Sequence, residues 1–246
     1  MSNFDESKVN RQRDGKFGFK SAGVPTASLS DLSGESPENL EKKAKSGEIT
    51  DFAPLVACNN PQVRKVAAQY GSDTDRDMLI HDEHPSVRST VASFGTDAQR
   101  KMFVNDPSIF VRYTAVFDGG VEVKRAFKND KEPSVREACA GEGADEELRS
   151  ELAKDEHYLV RHSVAKFTNN EETMNMLVTD KDQRVRAIIA MRGGENLKKQ
   201  LMNDTDPRVL SNVLAATKDR SVVEHLSRCD IPIVSNGAKI RLGAMN

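Results

Sequence analysis

The sequence predicts an all-α fold: a right-handed α-solenoid of about eight repeats of 24–25 residues, preceded by a tail with no repeat pattern. Three observations carry this expectation. A Val-Arg pair recurs at Val63-Arg64, Val87-Arg88, Val111-Arg112, Val135-Arg136, Val160-Arg161 and Val185-Arg186, followed by Val209-Leu210 and a degraded unit centred on Val234. Successive valines stand 24, 24, 24, 25, 25, 24 and 25 residues apart, and several other columns keep that phase. Composition agrees, since 37% hydrophobic and 30% charged residues leave too little apolar surface for a thick core and suit a thin stack.

Each unit reads as two helices. Helix B starts at a proline (Pro61, Pro85, Pro133, Pro207, Pro232), where the missing N–H is no loss. Asn60, His84, Ser108, Glu132, His157, Asp182 and Asp206 occupy the preceding N-cap column. Four and five residues after the valine come small apolar pairs such as Ala67/Ala68, Ala115/Val116 and Val164/Ala165, which share its helical face. Gly71, Gly95, Gly119, Gly143 and Gly193 follow at eight, in the place of a helix-closing residue of left-handed conformation. Helix A opens on acids (Asp73, Asp97, Glu146, Glu171, Glu195). It carries one large apolar residue (Leu79, Phe103, Phe127, Leu152, Leu177, Leu201) and runs to an aspartate column. Twenty-four residues cannot bury two such helices alone, so neighbours must share a core.

Residues 35–246 are expected to form the solenoid, with a capping helix over 36–46 and repeats over about 48–240. Ser36-Pro37-Glu38 supplies the start of the cap and Ser46-Gly47 its end. Residues 1–34, rich in Ser, Gly and charge, are expected to be a disordered tail.

The pattern Pro-x-Val-Arg-x-x-(Ala/Val)-Ala, with an aspartate six residues before the arginine, resembles the HEAT repeat. The 24-residue length is more similar to its short relative, the variant leucine-rich repeat. This resemblance implies a scaffold used in many roles. Some variant leucine-rich-repeat proteins carry an N-terminal cysteine cluster for an iron–sulfur centre. Cys58, Cys139 and Cys229 form no such cluster, so no cofactor is carried over. The stretch Arg11–Lys20 resembles tails of actinobacterial plasmid and phage-encoded proteins, which implies a mobile-element origin.

The net charge of -2 argues against wholesale nucleic-acid binding. No apolar run approaches a membrane span, the polar start is no signal peptide, and three scattered cysteines read as reduced thiols of a cytoplasmic protein.

Several residue sets compete for a functional role. The Val-Arg arginines could track phosphates, but each has an aspartate within reach, and a planar guanidinium suits a carboxylate. Pairing within units strands Arg64 and Asp204. Pairing with the next unit leaves nothing over: Arg64–Asp82, Arg88–Asp106, Arg112–Asp130, Arg136–Asp155, Arg161–Asp180 and Arg186–Asp204. A structural ladder between repeats is therefore expected.

Arg76, Arg100, Lys124, Arg149 and Lys198, with Lys101, Arg125 and Lys199 beside them, form a basic column on helix A for nucleic acid or an acidic partner. The competing reading is i,i+3 pairing, as in Asp73–Arg76 and Asp97–Arg100. On helix B of repeat three, Phe110, Tyr113 and Phe117 share the face opposite Val111, where repeat two has three serines. In HEAT-like solenoids that face usually lines the concave side, so the triad resembles a binding hot spot. His162 and Met191 extend it in repeats five and six. The alternative is an internal cover by Phe17 or Phe19.

His81-Asp82-Glu83-His84 has metal-ligand residue types, but Asp82 and His84 belong to the repeat columns and no further ligand pair is in sight. No nucleotide-binding or hydrolase motif is present, and Cys139 falls in a core column. The reading favoured is a non-catalytic module that binds a protein partner on the helix-B face. A nucleic-acid-binding solenoid comes second. An enzyme similar to the HEAT-like DNA-alkylation glycosylases comes third, because the chain has no Trp to stack on a base and Glu137 is the one carboxylate of the exposed helix-B face. Because the tail lies outside the repeats, deleting residues 1–34 is expected to lower the melting temperature by no more than a few degrees, measured by circular dichroism.

Overall fold

The computed structural model describes residues 9–11, 17–19 and 34–245, and from residue 34 onward every regular element is helical. The chain divides into two compact units, residues 1–79 and 80–246. The division falls inside the repeat array.

In the first unit, β1 (Val9–Arg11) pairs antiparallel with β2 (Phe17–Phe19), Asn10 opposite Gly18. These strands lie in the segment expected to be a disordered tail; the rest of residues 1–33, and all side chains there, lie outside the described residues. Helix α1 (Pro37–Lys45) begins where the Ser36 hydroxyl accepts the Asn39 N–H, and it ends before Gly47, whose φ of +79° favours glycine. It packs on α3 (Pro61–Tyr70). Helices α2 (Ala53–Val56) and α4 (Asp73–Leu79) flank α3, with Leu40, Leu55, Ala67 and Leu79 buried between them.

The second unit repeats that plan. Its B helices are α5 (Pro85–Phe94), α7 (Ile109–Phe117), α9 (Pro133–Ala140), α11 (Tyr158–Phe167), α13 (Gln183–Arg192), α15 (Pro207–Ala216) and α17 (Pro232–Ala244). Its A helices are α6 (Asp97–Lys101, continued by a 3-10 turn, Met102–Asn105), α8 (Val121–Phe127), α10 (Glu146–Leu152), α12 (Glu171–Leu177), α14 (Glu195–Leu201) and α16 (Arg220–Leu226). Each B helix packs on the next, and each A helix touches the B helices on either side. The repeat valines from Val87 to Val209 have no exposed surface, and Phe103, Phe127, Leu177 and Leu226 meet them from helix A. A core one helix deep thus runs through the unit, held by dozens of small contacts at each layer.

Between layers stands a polar clamp. Arg88, Arg112, Arg136, Arg161 and Arg186 each grip the aspartate of the following repeat with two parallel N–H···O bonds. For Arg112, Nε to Asp130 Oδ2 is 2.7 Å and Nη2 to Oδ1 is 3.1 Å. The Nε bonds of the other four pairs, to Asp106, Asp155, Asp180 and Asp204, measure 2.6–2.7 Å. The remaining guanidinium nitrogen donates to the main-chain carbonyl of the arginine's own repeat, as from Arg112 to Asp106 O at 2.8 Å. Each aspartate also accepts the N–H two residues on, Ser108 N to Asp106 Oδ1 at 2.8 Å, which shapes the turn into helix B. Arg64, in the first unit, donates to the carbonyls of Cys58 and Asn59 at 2.9 and 3.0 Å, so its own-repeat contact requires no aspartate side chain.

A second set of cations closes the C-termini of helix B, where carbonyls lack intrahelical donors. Arg76 donates to Ala68 O and Gly71 O, Arg100 to Ala92 O and Ser93 O, Lys124 to Val116 O, and Arg149 to Ala140 O and Gly141 O. Met174 and Val223 take this column's place in α12 and α16. There an arginine from the next B helix reaches back: Arg192 to Ala165 O and Thr168 O, and Arg241 to Leu214 O and Thr217 O. Glu146 and Glu195 complete these two ends by accepting from the hydroxyls of Thr168 and Thr217.

The glycine column departs from expectation. Gly71, Gly95 and Gly193 have φ of -72°, -78° and -66°, so a left-handed cap does not explain them. Close approach does: a Cβ on Gly95 would stand 2.5 Å from Val91 O and 2.7 Å from Gln99 Oε1. Thr168 and Thr217 occupy the same column with ψ of 141° and 144°, where Gly95 has 178°. Gly143, with φ +76°, is the one member of the column in the left-handed region.

Two expectations follow. A double-mutant cycle on Arg112→Met and Asp130→Asn in urea should give a coupling of ~0.5–3 kcal/mol, each single change costing ~3–5 kcal/mol because it strands a charge whose side chain is almost wholly buried. Asp155 adds a pH dependence. Burial works to raise its carboxyl, but the bonds from Arg136 and the His157 N–H outweigh this and hold it below the ordinary value. Such a group stabilises the fold above its unfolded pKa of about 4, and the contribution is lost as pH falls through the folded value; urea midpoints at pH 7 and pH 3 should show a drop that Asp155→Asn reduces. For the helix ends, Arg192→Ala should cost ~1–3 kcal/mol by leaving carbonyls unpaired, with part regained when Met174→Arg restores a cation on α12; no recovery would show that Arg192 acts through packing.

Candidate functional site

Helix α7 is apolar on both faces, and that sets it apart. Val111, Arg112, Ala115 and Val116 are buried, which turns Phe110, Tyr113 and Phe117 outward, Phe110 and Phe117 with about two thirds of their surface exposed. Tyr113 and Phe117, one turn apart, stack with ring centroids 6.0 Å apart. Nothing within the repeat demands aromatics here, since Ser89 and Ser93 serve the same positions in α5.

The neighbouring repeat opens a space beside them. Helix α9 has 8 residues where α5 has 10, because Gly141-Glu142-Gly143 replaces its last turn. The missing turn leaves a groove of about 440 Å³ walled by Tyr113, Phe117 and Phe167, with Ala138, Gly141, Gly143 and Ser163 between them. Glu137 and Glu142 contribute carboxylates, and the buried Lys124 lines the same space. Burial pushes the Lys124 ammonium below the usual lysine value. Such a groove, mostly apolar with a few charges, has the size and character of a ligand site.

The other sequence-derived candidates fall as follows. Phe110 is exposed on the same helix but does not line the groove, and neither do the half-buried His162 and the exposed Met191. The expectation that the helix-A column presents a basic stripe is corrected. Arg76, Lys124, Arg149 and Lys198 are buried and Arg100 nearly so; four of the five point into helix ends, and Lys198 pairs with Glu195. Of the outer members, Arg125 is held by Asp145 and Glu147 at 2.6 and 2.8 Å and Lys199 by Asp219 at 2.7 Å, leaving Lys101 exposed. Where the column carries a cation, that cation is thus committed to a helix end or an ion pair, and this column offers little field for a polyanion.

In the His81–His84 stretch, Asp82 accepts the His84 N–H and the His84 ring caps the Ser86 N–H, the turn and cap roles of the repeat. Burial pushes the Cys139 thiol up to about 12, so it is no nucleophile near neutral pH. The sequence reading missed Phe167, Lys124 as a groove residue, and the shortening of α9. The Gly141-Glu142-Gly143 run is the sequence signal for the last of these.

No protein-family model matches the chain, and no curated protein sequence is similar to it. Among solved structures, the chain is similar to one described as "a leucine-rich repeat variant with a novel repetitive protein structural motif", with a TM-score of 0.60 and 21% identity over 80% of this chain and 89% of that one. No helix among the described residues is long and apolar enough to cross a membrane. At that level of identity the likeness speaks for architecture alone, and the architecture is plain: this chain has the helical-repeat fold of a leucine-rich repeat variant.

Proposed function

We propose that the chain is a non-catalytic interaction module that holds a protein partner on the helix-B face of repeats three to five. The observation that supports this most directly is the aromatic groove, in which Tyr113, Phe117 and Phe167 surround a space of about 440 Å³. Exposed aromatics around a concave apolar site are the usual composition of a binding hot spot, because they desolvate a large area at small entropic cost. Phe110, His162 and Met191 extend the contact surface on either side. The nucleic-acid reading loses support from the cation column, whose members are committed to helix ends and ion pairs.

Capture of partners from the native host by the immobilised chain tests this reading. Phe110→Ala with Tyr113→Ala should leave the melting temperature nearly unchanged and reduce retention of the specific partner at least tenfold, since each hot-spot residue contributes ~2 kcal/mol or more. Binding that survives those changes, is sensitive to nuclease, and disappears with Lys101→Glu and Lys199→Glu would favour nucleic acid instead.

A further inference from the structure

Three departures from the repeat meet at one place. The first is the aromatic set on α7, and the second is the missing last turn of α9. The third concerns Lys124. Its column-mates Arg76, Arg100, Arg149 and Lys198 each have an acid three residues earlier, at 3.2, 3.0, 3.0 and 3.4 Å. Lys124 has Val121 there. Among the described residues its ammonium makes one hydrogen bond, to Val116 O at 2.8 Å, and no ion pair, although only 3% of the residue is exposed. Asp97 and Asp118 act on it only at longer range. A buried ammonium with N–H donors to spare is costly unless an acceptor reaches it, and Lys124 is among the residues that line the groove.

We infer that the groove takes the C-terminal residue of a partner polypeptide, its α-carboxylate on Lys124 and its apolar side chain against Tyr113, Phe117 and Phe167. This rests on the groove reading proposed above and names its ligand chemistry. A terminal residue carries carboxylate and side chain on one carbon, so a single residue satisfies the ammonium and fills the apolar wall together. An internal Asp or Glu would instead bring main chain on both sides into an apolar space that offers few hydrogen-bonding groups. Phosphate fits poorly, since its double charge would meet one ammonium and the carboxylates of Glu137 and Glu142. Those two acids suit a Lys or Arg shortly before the partner's terminus.

The test uses the full chain and a random hexapeptide library anchored by its N-termini, with free C-terminal carboxylates in one pool and amides in the other. Retention should favour free acids ending in an apolar residue by about tenfold or more, the usual effect of a charge-assisted bond in a dry site. Val121→Glu restores the acid that the other repeats have and should remove that preference with little change in melting temperature. Phe117→Ala should weaken retention of both pools. Equal retention of acids and amides would overturn the carboxylate assignment while leaving the groove as a binding site. Selection for internal Asp or Glu regardless of the terminus, or a preference that survives Val121→Glu, would overturn it as well. Retention of neither pool, with partner capture that depends on Phe110 but not on Tyr113 or Phe117, would place the contact outside the groove and overturn the inference.

Discussion

The stack depends on one arrangement: a guanidinium held by a carboxylate of the next repeat and by a main-chain carbonyl of its own. Apolar contacts between short helices are plentiful but not specific in register, because small side chains on successive layers could slide past one another at little cost. The Arg–Asp fork tolerates no such slip. Its two parallel bonds fix angle as well as distance, and the aspartate is itself fixed by the turn it makes into helix B. Buried ion pairs give up much of their attraction to desolvation, so the clamp contributes chiefly alignment, while the valine and small-residue columns supply the bulk of the cohesion.

Helix ends impose the second constraint. With B helices of only 8 to 13 residues, unpaired terminal carbonyls are a large share of the backbone. A cation is therefore committed to most of these ends: Arg76, Arg100, Lys124, Arg149, Arg192 and Arg241. The same economy isolates the groove. Where α9 stops early and Val121 replaces an acid, Tyr113, Phe117, Phe167 and Lys124 line one open space, and departures from periodicity, not a motif, bring them together.

Much of this was legible in the sequence because each column has a physical reason to recur. The Val-Arg phase located the B helices, and the ends of the Arg and Asp columns distinguished bridging between repeats from pairing within them. Glycine misled: residues eight after the valine suggested a left-handed cap, whereas Gly71, Gly95 and Gly193 are there because a carbonyl and the next helix approach too closely for a Cβ. The basic column misled similarly, since spacing shows which residues share a face but not that long side chains turn inward to reach a neighbouring helix end. Of the groove, Tyr113 and Phe117 were visible as departures from serine. Phe167 was not, because its column also holds Tyr70 and Phe94 and so looked ordinary.

The two ways of closing helix B divide the array into self-contained and dependent segments. Where the cation sits on helix A, as Arg100 and Arg149 do, a unit counted from one repeat valine to the next contains both the helix and its cap. Where Arg192 or Arg241 does the work, the cap belongs to the following unit. Recombination between repeats can thus exchange the early units singly, but a crossover that parts α11 from α13, or α15 from α17, leaves a helix with its carbonyls bare. Gain and loss of repeats should therefore concentrate among the units before α11, where a changed number of layers leaves no helix end bare.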